Sequence, residues 1–139
     1  MRFFAALSVL LTVISLASCN GEIRDFDSRE YEKASPIGTY TLGKDREELH
    51  IKTSRGVNAN VILVSRRYMF LKFQDEKEER KICDTYWILS SEIRQLRERD
   101  LLFVRLLESH MTRTNEWEND VRIYVYDLSK RKLIGWTKM

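Results

Sequence analysis

The chain has 139 residues, with 24 lysines and arginines against 21 aspartates and glutamates, which gives a formal net charge of +3 at pH 7. Both signs of charge are interspersed along the sequence, whereas a nucleic-acid-binding domain carries a concentrated basic patch. The length suits one small domain with a single core. Composition therefore argues against a nucleic-acid partner and predicts one globular unit.

The amino-terminal segment is an uncharged apolar run that follows Arg2 and extends from Phe3 to Leu16. The small residues Ala17 and Ser18 come next, which completes the layout of a secretory signal peptide. A transmembrane helix needs about 20 apolar residues. This run is shorter, and a polar stretch follows it directly. The segment therefore predicts export, with an uncleaved anchor as the alternative.

The four residues Leu16, Ala17, Ser18 and Cys19 resemble the lipobox of bacterial lipoproteins, which reads aliphatic, small, Gly/Ala/Ser, then Cys. This resemblance implies that signal peptidase II recognises all four residues and cuts before Cys19. It also implies that the Cys19 thiol carries a diacylglyceryl group and that Cys19 becomes the mature amino terminus. Two acyl chains hold a protein firmly on a membrane. We expect this covalent lipid and no other cofactor.

The residue after Cys19 bears on which membrane the lipoprotein would be sorted to. In Gram-negative lipoproteins an aspartate there tends to retain the protein at the inner membrane, whereas this chain has Asn20. The resemblance therefore implies an anchor in the outer membrane, with the domain facing the periplasm. Together with Pro36, the only proline, which opens the domain, this predicts a removed signal peptide (1–18), a lipidated cysteine with its tether (19–35) and a single β-rich domain (36–139).

The segment 20–35 is mostly polar and charged, as a flexible tether between lipid and domain would be. A short helix is the alternative, with Asp27 or Ser28 as its N-cap. The few apolar residues of the segment, Ile23 and Tyr31 among them, are compatible with either structure.

Alternating apolar residues predict strands through the first half of the domain. The β-branched and aromatic run at 37–43 is the first predicted strand, and 48–53 is the second. Alternation is strict at the start of 57–65 and continues into a strand at 66–73. The intervening charged stretch at 74–81 is predicted to be a loop or the solvated tip of a hairpin.

The second half of the domain is more ambiguous. Residues 83–90 read as one strand, whereas 91–100 fit either a short helix or a strand. The near-continuous apolar run at 101–108 is a buried strand or the end of that helix. A polar loop is predicted at 111–120, and two alternating strands within 121–138 predict a closing hairpin.

Seven or more short strands with frequent turns predict a small antiparallel barrel or sandwich, with one short helix possible after the signal helix. The G-T-Y-T-L opening, the Y-W-I-L strand and the closing hairpin are similar to small lipocalin-like β domains of bacterial lipoproteins. That resemblance implies a fold and identifies no functional residue.

The sequence contains none of the common catalytic motifs. His50 and His110 lie far apart and outside any metal-ligand spacing, and no nucleophile elbow or phosphate-binding loop occurs. Cys83 is predicted to be a small buried hydrophobe, with an intermolecular disulfide or a reactive thiol as alternatives. We therefore expect no metal site and no catalytic residue, although paired carboxylates stay open.

Aromatic residues in the predicted strands are the remaining functional signal. Tyr124 and Tyr126 lie on a strand with two apolar faces, and Trp117 lies in a polar loop, so these three residues are the candidate partner surface. The favoured function is a non-catalytic module that binds an envelope-assembly protein or a toxin. The alternatives are a binder of an apolar small molecule inside the barrel and a hydrolase of envelope material.

Overall fold

The computed structural model describes residues 22–23, 28–41 and 43–139. The predicted signal peptide, the lipobox and Cys19 lie outside the described residues. The sequence-based expectations about export and lipidation therefore stay predictions.

The described chain is mainly β, as predicted, with one short α-helix. In chain order the elements are α1 (Ser28–Lys33), β1 (Ser35–Gly38), β2 (Arg46–Lys52), β3 (Asn58–Val64), β4 (Tyr68–Phe73), β5 (Arg80–Asp84), β6 (Trp87–Leu96), β7 (Leu101–Met111), β8 (Trp117–Asp127) and β9 (Lys132–Lys138). A single 3₁₀ turn, Arg97–Arg99, joins β6 to β7.

The strands form two antiparallel sheets that pack face to face. The first sheet has the order β1-β6-β7-β8-β9, and the second has the order β2-β3-β4-β5. Strands β2 to β5 and strands β6 to β9 are each joined in sequence as a meander, and β1 returns to pair with β6. Short connections place strands that are consecutive in sequence beside one another, so chain order determines most of the topology.

Alternation along each strand fills the space between the sheets. In β3 the inward residues are Ala59, Val61 and Leu63, and they pack against Met69 and its neighbours on β4. Successive side chains of a strand point to opposite faces, so this period of two separates a core face from a solvent face. The side chains at these positions have exposures of 4% or less. The barrel or sandwich interior is therefore occupied by the protein's own side chains.

A second apolar cluster lies on the outer face of the larger sheet, where α1 covers it. Tyr31 of α1 packs edge to face on Phe103, with 5.8 Å between ring centroids. The Tyr31 hydroxyl donates to Glu92 Oε2 at 2.9 Å, and Arg94 Nη1 donates to the Tyr31 carbonyl at 3.2 Å. Glu30 of α1 also forms an ion pair with Arg99. Of the two alternatives left open for residues 20–35, the structure shows the short helix.

Several element boundaries differ from the sequence-based expectations. The strand predicted at 37–43 lies earlier, at Ser35–Gly38, and the one predicted at 83–90 is interrupted by a turn at Thr85 and Tyr86. The ambiguous segment 91–100 continues β6 to Leu96, because β6 pairs with both β1 and β7 and its backbone groups are satisfied there.

Candidate functional site

Four exposed apolar residues gather at one end of the two sheets. Tyr86 is 53% exposed, Trp87 42%, Met111 39% and Trp117 61%. We call these four residues the aromatic tip. The rings of Tyr86 and Trp117 meet edge to face at 5.5 Å, and Trp117 lies opposite Met111 in the pairing of β7 with β8. The tip thus combines the connection between β5 and β6 with the adjacent ends of β6, β7 and β8.

Two arginines from the β3–β4 turn extend the aromatic tip. The Arg66 guanidinium lies 4.3 Å from the Trp87 ring centroid, and that of Arg67 lies 5.9 Å from the ring of Tyr86. Arg66 also donates to the Ile88 carbonyl from Nε and Nη2, at 3.3 and 3.2 Å. A guanidinium that is already held on an aromatic face loses less side-chain entropy when a partner binds it. Its N–H donors also lie at the rim of the apolar surface.

Of the three residues of the predicted partner surface, one is exposed and two are buried. Trp117 is exposed as expected, but it is the first residue of β8 rather than part of a loop. Tyr124 and Tyr126 are 6% and 2% exposed and lie in the core between the sheets, which corrects their assignment to a surface. Burial raises the pKa of Tyr126 to about 12. Tyr86 and Trp87, which belong to the strand predicted at 83–90, are exposed and lie at the tip with Trp117.

A cluster of ionisable side chains lies beside the aromatic tip, on the inner face of the β7–β8 hairpin. Glu108 is 1% exposed, and ligand atoms of Glu108, His110 and Asp120 all lie within 4.8 Å of one another. Glu108 and Asp120 are directly opposite in the strand pairing. No sequence motif marks this cluster, because Glu108 ends the near-continuous apolar run and Asp120 ends the predicted polar loop. Only the strand register brings the three residues together.

Cations already surround both carboxylates of this cluster. Arg122 Nε lies 3.1 Å from Glu108 Oε1 and 3.4 Å from Asp120 Oδ1, and Lys138 Nζ lies 3.2 Å from Asp120 Oδ2. The Tyr124 hydroxyl lies 3.1 Å from both Glu108 oxygens. The spacing would suit a divalent ion, but Arg122 and Lys138 balance the two carboxylates in charge. The arrangement is best described as a partly buried ion-pair network.

Burial raises the pKa of the Glu108 carboxyl, although Arg122 and Tyr124 act in the opposite direction. A carboxyl whose pKa is raised on folding contributes stability below its unfolded pKa, near 4.5, and loses it as the pH rises through the folded pKa. The glutamine of Glu108→Gln cannot titrate, so this variant does not lose stability in that way. We therefore expect the free energy of unfolding of the variant, minus that of the wild type, to become more positive as the pH rises above about 4.5.

Urea denaturation of both proteins at pH 4 and pH 8 measures this difference. Glu92→Gln is the matched control. Burial acts to raise the pKa of Glu92, but hydrogen bonds from Tyr31 and Arg94 and the charges of Arg94 and Arg105 together hold it below its usual value. The free energy of unfolding of Glu92→Gln, minus that of the wild type, should therefore become more negative between pH 4 and pH 8. A difference for Glu108→Gln that is the same at both pH values would contradict the prediction.

Cys83 lies in the core between the sheets and is 5% exposed. Burial raises the pKa of its thiol, and the nearby carboxylates of Glu108 and Asp84 raise it further. Because the thiolate is the nucleophile, a raised pKa makes the thiol unreactive near neutral pH. The geometry agrees with the interpretation of Cys83 as a small buried hydrophobe.

A groove of about 420 Å³ opens between β5 and β9 and reaches the core at Cys83 and Tyr126. Its rim carries charged side chains, including Arg80, Asp84 and Arg131. Pockets for apolar ligands are lined predominantly by hydrophobic side chains. The groove is therefore poorly suited to the apolar small molecule of the second hypothesis.

No protein-family model matches this chain, and neither the curated proteins nor the solved structures contain a match to it. Within the described part of the chain, no helix has the length and apolar character to span a membrane.

Proposed function

We propose that this chain is an exported lipoprotein, anchored by acyl chains on Cys19 in the outer membrane and facing the periplasm. Its domain acts as a non-catalytic module that binds another envelope protein through the aromatic tip. The lipobox residues support the anchor, and the exposed aromatic surface supports the protein partner.

The aromatic tip is the observation that carries the protein-binding part of this proposal. Among the described residues six large apolar side chains are exposed, and four of them lie at this tip. Tryptophan, tyrosine and arginine are the residues most enriched at the energetic centres of protein interfaces. Exposed apolar groups gathered in one place, with a polar rim, are typical of a partner-binding site.

The chemistry of the tip indicates the kind of partner. Tyr86 and Trp117 meet edge to face, which leaves an apolar surface for an aliphatic or aromatic side chain of the partner. Arg66 and Arg67 hold guanidinium groups beside it for carbonyl or carboxylate acceptors. A protein surface with an apolar anchor flanked by acceptors fits this arrangement.

Affinity purification from membranes after crosslinking tests the partner. We expect one envelope protein to co-purify with the wild type in excess over abundant lipoproteins. If only bulk lipoproteins co-purify and native mass spectrometry finds a bound lipid in the domain, the protein-partner proposal fails.

Lipidation has a separate test. Cys19→Ala is expected to abolish incorporation of radiolabelled palmitate and to leave the precursor uncleaved, because the substituted thiol is the acceptor of the diacylglyceryl group. Cys83→Ala is the matched control and should label and mature normally, since Cys83 is buried in the core. Normal palmitate labelling of Cys19→Ala would contradict the proposed anchor.

A further inference from the structure

The segment before α1 is attached to the free side of β9. The Ile23 N–H donates to the Trp136 carbonyl at 2.6 Å, and Glu22 forms a parallel bridge with Trp136. Ile23 also packs against the apolar cluster on the outer face of the larger sheet. Residues 22–23 thus extend that sheet by a short piece of strand, although they precede the domain boundary expected at residue 36.

The position of Glu22 limits how far Cys19 can lie from the domain. Three residue steps separate Cys19 from Glu22. A fully extended chain advances by no more than about 3.6 Å per residue, so these steps span at most ~11 Å whatever their conformation. An acylated Cys19 would therefore hold the edge formed by β9 close to the bilayer, without a long tether.

The surface around that edge suits anionic lipid. Lys130 and Lys132 are exposed at the β8–β9 turn and the start of β9, and Ile134 is 38% exposed. Basic residues beside an anchor are attracted to anionic headgroups, and exposed apolar groups enter the interface.

The acidic groups near this turn are held by the protein itself. Asp127 accepts from the backbone N–H groups of Ser129 and Lys130, at 2.9 and 3.0 Å. Asp75 is paired with Arg131 at 2.7 Å. These carboxylates are therefore engaged within the domain and oppose contact with headgroups less than unpaired ones would.

We propose that the surface of Lys130, Lys132 and Ile134 rests on an anionic bilayer and fixes the orientation of the domain, an inference that depends on the proposed lipidation of Cys19. Tyr124 pairs with Trp136, and Trp117 lies seven residues before Tyr124 on β8. At ~3.3 Å per residue that separation is about 23 Å, roughly twice the reach of Cys19. The aromatic tip therefore stays clear of the anchor and open to a protein partner.

Fluorophores on single cysteines test this orientation in the full-length lipidated protein, reconstituted in vesicles that contain phosphatidylglycerol and a lipid with a nitroxide headgroup. Lys132→Cys probes the surface, and Lys52→Cys is the matched control, exposed at the end of β2 in the other sheet. Cys83 is buried and should not react with the dye. We expect the nitroxide to quench the dye at 132 several-fold more than the dye at 52.

Equal quenching at both positions, or stronger quenching at 52, would overturn the proposal, and so would strong quenching of a third dye at Trp117→Cys. If Lys132→Cys fails to fold, Ile134→Cys provides the same measurement. The intact mass of the purified protein distinguishes a failure of the proposed lipidation from a failure of the proposed orientation. Absence of the diacylglyceryl mass contradicts the proposed function, whereas a lipidated protein with equal quenching contradicts only the orientation.

Discussion

Replacement of Trp117 by alanine is expected to remove the envelope partner from crosslinked membranes and to leave the fold intact. Trp117 is 61% exposed, and its ring meets that of Tyr86 edge to face at 5.5 Å. Central aromatic residues of an interface commonly contribute about 2 kcal/mol or more to binding. Since 1.4 kcal/mol corresponds to a tenfold change, capture should fall by about 30-fold.

Met139→Ala is the matched control, because Met139 is also an exposed apolar residue but follows the end of β9 and belongs neither to the tip nor to the surface proposed to face the bilayer. We expect this variant to capture the partner as the wild type does. Loss of the Tyr86 contact should lower the stability of Trp117→Ala by no more than ~1.5 kcal/mol, measured by urea denaturation. Equal loss of capture in both variants would show that the tip is not the interface.

Local alternation was sufficient to predict the fold class and most of the strands. The predicted strand at 57–65 corresponds to β3, and its inward residues Ala59, Val61 and Leu63 are those that the alternation indicated. The charged stretch at 74–81 contains the connection between β4 and β5, as expected of a hairpin tip. These features depend on neighbours in sequence, so the periodicity of side chains contains the necessary information.

Features that depend on distant pairing were not accessible in the same way. Ile93 and Leu96 have helical spacing, yet both lie on β6, where two partner strands satisfy the backbone. The opposition of Glu108 and Asp120 arises from the β7–β8 register. Neither hydropathy nor motif spacing specifies which residues become cross-strand neighbours, because a register is set by the whole sheet.

The two apolar faces of β8 also could not be assigned correctly from the sequence, because each is covered by a part of the chain that is distant in sequence. From the sequence we assigned the face of Tyr124 and Tyr126 to a partner, and that choice of face was wrong. Tyr124 and Tyr126 fill the core, whereas Ile123 and Val125 form the outer cluster that α1 covers. The covering helix has only six residues, and its amphipathic signal is too short to recognise from sequence.

Tyr31→Ala is expected to lower the free energy of unfolding by about 3 kcal/mol, as truncation of a large buried aromatic usually does. Tyr31 is 6% exposed, packs on Phe103 and carries the Arg94 guanidinium 4.3 Å from its ring centroid. Tyr31→Phe keeps the ring and loses only the hydrogen bond to Glu92, so it should cost about 1.5 kcal/mol. Urea denaturation measures both values.

A flexible tether at residues 19–35 would make both Tyr31 variants as stable as the wild type, and that result would contradict the docked helix. Tyr86→Ala, at a residue that is 53% exposed, serves as the control for loss of an aromatic ring at the surface.

The docked helix also limits how far the anchored Cys19 can lie from the domain, because Ile23 packs against the same cluster as Tyr31. If Tyr31→Ala releases the chain as far as residue 34, fifteen residue steps of up to ~3.6 Å become a tether of about 50 Å. The same variant should therefore reduce the difference in nitroxide quenching between positions 132 and 52, which links the stability of α1 to the orientation of the domain on the membrane.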